Sequence, residues 1–154
     1  MIGMKLWQHF SREDLYECYQ CARCTGSCPA MEVSPAIGPR ETILRCLDFG
    51  HDEIIKDERL WLCCTCHVCE DRCPQKIPIS ELLVALRNSA ARQGNVPDRL
   101  KMAIELLANT GRSMIVHQLD DMRAHHGLEP LPAAPVEEIR AILKKTGLEE
   151  VVEF

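Results

Sequence analysis

Apolar positions along this chain recur at helical spacing, and no segment alternates as a half-buried strand would. Ser11 is placed to cap a first short helix, with Asp14 three residues on as a capping-box partner. Gly38–Pro39 opens a second helix with proline at its first position. Ile43, Leu44 and Leu47 form its apolar face and Gly50 stops it. Asp52 or Asp57 caps a further helical stretch running through Leu60, Trp61 and Leu62. Ser80 caps a helix from Glu81 to about Arg92, lined by Leu82, Leu83, Leu86 and Ala90 and ended by Gly94. Pro97 and Asp98 begin another, with Leu100, Ala103, Ile104 and Leu107 on one face and its end near Gly111. A helix from about His117 to His126 turns Leu119 and Met122 inward. Pro130, Pro132 and Pro135 punctuate a linker, and Val136 to Lys145 forms an amphipathic helix striped by Val136, Ile139, Ile142 and Leu143, ended by Gly147. The predicted fold is mainly α. It has a helical domain over residues 1–96 and a helical C-terminal extension over residues 97–154. That extension is too small to build a core of its own, so its last stripe must dock on the first domain or, the reading favoured here because of the linker, on a partner.

Eight of the ten cysteines change this picture, because they fall into one spacing used twice. Cys18, Cys21, Cys24 and Cys28 precede Pro29; Cys63, Cys66, Cys69 and Cys73 precede Pro74. Each run reads C-x2-C-x2-C-x3-C-P, the bacterial ferredoxin pattern for a [4Fe–4S] cubane. Three thiolates spaced three residues apart can wrap a tight loop around three corners of a cubane, and the fourth iron needs a sulfur from elsewhere. In two-cluster ferredoxins the fourth cysteine of each run serves the other cluster. That assigns Cys18, Cys21, Cys24 and Cys73 to one cluster and Cys63, Cys66, Cys69 and Cys28 to the other. With no strand pattern framing the loops, a helical ferredoxin-like domain is expected rather than the βαβ form.

Other uses of these cysteines fit less well. Structural zinc favours paired C-x2–4-C knuckles, not three cysteines in series. Cys63 to His67 also reads C-x-x-C-H, a c-type haem attachment motif, but haem leaves Cys69, Cys73 and the first run unexplained. Ten cysteines in 154 residues fall below the roughly 8–10% of small disulfide scaffolds. Cys46, among apolar neighbours, reads as a small buried hydrophobe. Cys64 breaks the spacing and is expected to pack near a cluster, and His67 to stand beside it rather than ligate.

Hydrophobic content of 46% and charged content of 27% are ordinary. Aromatic content of only 5% leaves little for a large aromatic core, so metal binding should be coupled to folding. The formal charge of −5 argues against a nucleic-acid surface. No run approaches the ~20 apolar residues of a membrane span, and the opening lacks a signal-peptide core. A cytoplasmic, anaerobic setting is expected. No nucleotide-binding glycine motif, and no nucleophile paired with a base, can be defended, so no catalytic residue is assigned.

The segments C-Y-Q-C-A-R-C-T-G-S-C-P, W-L-C-C-T-C-H-V-C-E-D-R-C-P and I-S-E-L-L-V-A-L-R-N resemble the iron–sulfur C subunit of heterodisulfide reductase over roughly residues 10–96. The tail is similar in length and style. The resemblance implies an electron-transfer subunit of a soluble complex, relaying electrons through two [4Fe–4S] clusters. A flavin-containing, bifurcating A subunit would supply them, and the active-site B subunit would reduce the mixed disulfide of coenzyme M and coenzyme B in methanogenesis. A hydrogenase or formate dehydrogenase would feed the complex. Similar subunits serve bacterial sulfur metabolism. The active-site subunit uses C-C-G motifs; here Cys63–Cys64 is followed by Thr65, as a relay rather than a reaction centre would have it. The alternatives are an iron–sulfur subunit of fumarate or succinate type, which needs a preceding C-x4-C-x2-C domain for which there is little room before Cys18, and a free two-cluster ferredoxin.

Overall fold

The computed structural model describes residues 12–34, 36–114 and 118–150. Its chain divides into two compact units, Met1–Asn95 and Val96–Phe154. Among the described residues every regular element is helical, as the apolar spacing predicts. Ser11, the expected first cap, lies outside the described residues.

The first unit holds α1 (Arg12–Tyr16), α2 (Arg23–Gly26), α3 (Pro29–Val33), α4 (Pro39–Asp48), α5 (His51–Ile54), a 3-10 turn (Glu58–Leu62), α6 (Val68–Asp71) and α7 (Ile79–Arg92). α4 starts on Pro39, whose missing N–H is no loss in the first turn. It ends before Gly50, which takes a left-handed φ of 76°. Thr42 is fully buried, its hydroxyl satisfied by Gly38 O at 3.0 Å. Of the two proposed caps, Asp57 serves: its side chain accepts from Arg59 N at 3.0 Å. The stretch it opens is a 3-10 turn rather than an α-helix.

α7 corrects the expected cap. It begins at Ile79, so Ser80 sits inside the helix and is buried. The N–H of Ser80 is taken instead by Glu70 Oε1 at 3.0 Å, a carboxylate reaching in from α6. Leu82, Leu83, Leu86 and Ala90 are buried as predicted, in a core shared with Leu15, Ile43, Ile54, Ile55, Leu60 and Ile79. Each fully buried leucine or isoleucine contributes about 1.5–3 kcal/mol. Trp61 packs on this core, its Nε1 donating to Asn95 O at 3.0 Å and its ring lying 5.7 Å from the Arg87 guanidinium.

The second unit holds α8 (Asp98–Thr110), α9 (Leu119–His125), α10 (Val136–Lys145) and a 3-10 turn (Leu148–Glu150). α8 ends as predicted at Gly111, whose φ is 67° and whose N–H bonds Leu107 O at 2.8 Å. α10 packs on α8. Leu143 and Ala108 are buried, and Arg140 Nε donates to Ala108 O at 2.9 Å. The α10 stripe thus has a third destination, α8 itself, because the proline linker folds the chain back; Ile142 stays exposed. Ala103 is exposed on α8. α9 buries nothing, and Met122, expected inward, is 54% exposed. His125 and His126 are exposed, as solvated helix residues, and His117 lies outside the described residues.

Candidate metal centre

The two cysteine runs fold alike. In the first, Gln20 and Ala22 take left-handed φ values of 55° and 60°; in the second, Thr65 and His67 take 53° and 62°. These are equivalent positions, two residues after the first cysteine and one after the second. Left-handed conformation costs a residue with a Cβ roughly 1–2 kcal/mol, and its recurrence at matched positions marks a required backbone shape. Left-handed residues in a tight loop can turn backbone N–H groups to one side, a concavity suited to negative charge. A four-residue helix follows each loop, α2 and α6, and the two pack together.

Between these elements lie two hollows. One, of about 350 Å3 counted with the space at its mouth, is lined by Cys18, Cys21, Cys24 and Cys73, with Arg23, Arg40, Ile43 and Ile79 among their neighbours. The other, of about 420 Å3, is lined by Cys28, Cys63, Cys66 and Cys69, with Cys64, His67, Ser80 and Leu83. Each hollow therefore draws three cysteines from one run and the fourth from the other. Helix starts alternate between them. Pro39 lines the second hollow and Arg40 the first; Ile79 lines the first and Ser80 the second.

Exposure follows the repeat. Cys24 and Cys69 are buried at 7% and 8%, Cys21 and Cys66 are exposed, and Cys18, Cys28, Cys63 and Cys73 are half-buried. Burial pushes the Cys24 thiol up from its ordinary pKa and, with the nearby Glu70 carboxylate adding to it, pushes Cys69 up to about 11. Backbone amides point at two sulfurs: Thr65 N donates to Cys63 Sγ and Ile77 N to Cys73 Sγ, both at 3.4 Å. Cys46 lies apart in the core, where burial drives its thiol up to about 12. Cys64 is exposed at the second hollow, its thiol raised chiefly by its hydrogen bond with Cys66. Trp61 lines neither hollow.

Among the described residues no three His, Cys, Asp or Glu side chains gather as a single metal ion would need; thiolates on one zinc all stand about 2.3 Å from it. The cysteines are spread around the walls of two hollows, an arrangement that fits a group of several metal atoms better than one ion.

Two residues without sequence signals of their own complete the site. Glu70 takes the Ser80 N–H and holds His67 Nδ1 at 3.2 Å, and His67 Nδ1 also meets Ser80 Oγ at 2.9 Å. Against the opposing effect of burial, these hydrogen bonds hold the Glu70 carboxyl below its ordinary pKa. At the first hollow, Arg40 N donates to Thr25 Oγ1 at 3.2 Å and Arg40 Nε to Gln20 Oε1 at 3.0 Å. Aligning the two runs matches Thr25 with Glu70, each following the third cysteine, but gives no sign of the helix N–H that each accepts.

A helical unit with two cysteine-lined hollows is the scaffold of an iron–sulfur protein with two clusters. Residues 17–78 match the family described as a 4Fe-4S dicluster domain, and two [4Fe–4S] clusters are the cofactors. The C subunit of the H(2):CoB-CoM heterodisulfide,ferredoxin reductase of Methanothermobacter thermautotrophicus is 33% identical over 150 residues, covering 92% of this chain and 80% of that one. The C subunit of the Ferredoxin:CoB-CoM heterodisulfide reductase of Methanosarcina mazei is 32% identical over 145 residues, covering 90% and 89%. The iron-sulfur C subunit of the CoB--CoM heterodisulfide reductase of Methanopyrus kandleri is 31% identical over 150 residues, covering 89% and 74%. The chain belongs to the family of heterodisulfide reductase C subunits.

Proposed function

We propose that this chain is the electron-transfer subunit of a heterodisulfide reductase complex. It relays electrons from the flavin-containing A subunit to the B subunit, which reduces the mixed disulfide of coenzyme M and coenzyme B. Cys18, Cys21, Cys24 and Cys73 hold one [4Fe–4S] cluster, and Cys63, Cys66, Cys69 and Cys28 hold the other. When bound, such a group takes up and gives back one electron at a time. The observation that carries the reading is the three-plus-one lining of two neighbouring hollows. Because adjacent residues line different hollows at both Pro39–Arg40 and Ile79–Ser80, the two sites stand side by side, as a relay needs.

The chain's own residues then have plain tasks. Cys24 and Cys69 anchor each site in the core, and Ile43, Ile79 and Leu83 keep water from its inner walls. Thr65 N and Ile77 N donate to sulfur, stabilising added negative charge. Cys21 and Cys66 face outward, where an electron partner could approach. No residue here is assigned to substrate chemistry, which falls to the B subunit. Among the described residues no helix is long and apolar enough to cross a membrane; a cytoplasmic complex is part of the proposal.

Anaerobic isolation of the chain from its native cells, with mass spectrometry of what accompanies it, tests this. A flavoprotein and a chain with C-C-G motifs are expected. A lone chain with two clusters would identify a diffusible carrier, and a flavoprotein of fumarate reductase type would identify the rival complex.

A further inference from the structure

The two hollows are built from equivalent parts, and that equivalence exposes a difference. At each, the second residue of a long helix donates its backbone N–H to the side chain that follows the third cysteine of the loop. At the first hollow the donor is Arg40 and the acceptor the neutral Thr25 Oγ1. At the second the donor is Ser80 and the acceptor the Glu70 carboxylate. The side chains of the two helix residues also differ. Arg40, lining the first hollow, carries a half-buried guanidinium donating to the neutral Gln20 Oε1. Ser80, lining the second, carries a buried hydroxyl against His67. Matched positions thus place a cation in the wall of the first hollow and an anion behind the wall of the second, one residue past Cys69. Arg23, exposed, adds to the first. Arg87, part-buried and donating to Leu60 O and Cys63 O, stands behind the second hollow as Glu70 does, neither lining it, and offsets part of the Glu70 charge; the first hollow has its cation in the wall itself.

Other determinants of potential are largely balanced by the repeat. Each hollow has one buried, one exposed and two half-buried cysteines among its four run cysteines, and among the described residues each has an amide-to-sulfur bond of 3.4 Å and a backbone amide, of Thr25 or Glu70, at its buried cysteine. Cluster potential depends on local charge, hydrogen bonds to sulfur and exposure. Exposure is matched; the hydrogen bonds differ by the Thr25 hydroxyl at Cys24, which favours the reduced state at the first hollow and so acts in the same direction as the charge. A nearby cation favours the reduced, more negative state and a nearby anion disfavours it, and part-buried charges escape much of the screening by salt.

We propose that Arg40 and Glu70 set the two clusters at different potentials. The cluster held by Cys18, Cys21, Cys24 and Cys73 is the higher, so a single electron entering the chain comes to rest at the first hollow. This ordering rests on the ligand sets proposed above.

Redox titration of the anaerobically purified full chain, followed by electron paramagnetic resonance, with iron and sulfide analysis of every variant, tests it. Two one-electron waves are expected. Arg40→Gln should lower the upper wave, changing its reduced-to-oxidised ratio at fixed potential about tenfold, equivalent to about 59 mV for one electron, while the lower wave stays. Arg40→Lys, which keeps the charge, should leave the upper wave in place. Glu70→Gln, which can still accept from Ser80 N, should raise the lower wave alone. Variants that keep full iron and sulfide but move the opposite wave, both waves equally, or neither, overturn the ordering and leave the ligand sets standing. A wild-type chain without iron and sulfide overturns both.

Discussion

Asp57 joins α4 to the turn that leads into the second cysteine run. Its carboxylate pairs with Arg45 at 2.8 Å and with Arg59 at 2.7 Å, and caps the turn through Arg59 N. The Arg59 guanidinium, helped by Arg45 and opposed by burial, holds the Asp57 carboxyl well below the usual carboxylate range. A depressed carboxylate stabilises the fold fully above its unfolded pKa and loses that contribution as pH falls through the folded value. Asp57→Asn should therefore cost about 1–2 kcal/mol at neutral pH. Because the window of loss lies below the ordinary value of about 3.9, the deficit should stay flat from pH 8 to pH 5 in urea unfolding of the two proteins. At the site, Cys73→Ser should remove the cluster of the first hollow and Cys28→Ser that of the second. Each should leave about half the iron and sulfide per chain, with different residual spectra. Loss of the same signal in both variants would break the ligand sets.

Among the elements, the left-handed residues of the two loops are the most constrained. Ala22→Val should cost about 1–2 kcal/mol and weaken cluster retention, whereas Ala22→Gly should be neutral or better; rates of cluster loss under air compare them. Gly111 is constrained twice, by its φ of 67° and because an added Cβ would meet Ala134 Cβ at 2.6 Å. Gly111→Ala should loosen the α8–α10 pair by about 2–4 kcal/mol, seen as faster hydrogen exchange over residues 98–110 and 136–145 with iron content unchanged. Elements whose start and stop are written locally were legible in the sequence. Pro39 with Gly50 bounded α4, and Val136–Lys145 was read to the residue. Ser80 misled because its N–H is capped from α6, ten residues back and across a turn. Met122 misled because helical spacing shows that a face is apolar, not that anything covers it.

Across the whole molecule, the helices that carry the cysteines are too short to stand alone. α2 and α6 have four residues each, against the ~12–15 at which an isolated helix becomes marginally stable. Core packing and metal binding must hold them. Chelation of iron should therefore raise hydrogen exchange over residues 18–28 and 63–77, while the α8–α10 pair, which carries no cysteine, keeps its protection. Cysteine spacing made the chemistry legible before any fold was known, since a cubane loop is a local object. The placing of Arg40 above Gln20, and of Glu70 under Ser80, was not, because each depends on which helix the loop meets in space.

Each hollow takes walls from both runs, and that has a consequence for synthesis. Translation proceeds at about 5–20 residues per second, so the first run leaves the ribosome some seconds before the second. During that interval Cys18, Cys21, Cys24 and Cys28 are a set of bare thiols with no complete site to enter. On the ligand sets proposed above, neither ring of sulfurs closes until the second run has emerged, and the first waits for Cys73. On those sets, a chain truncated between the runs is left with no finished site at all.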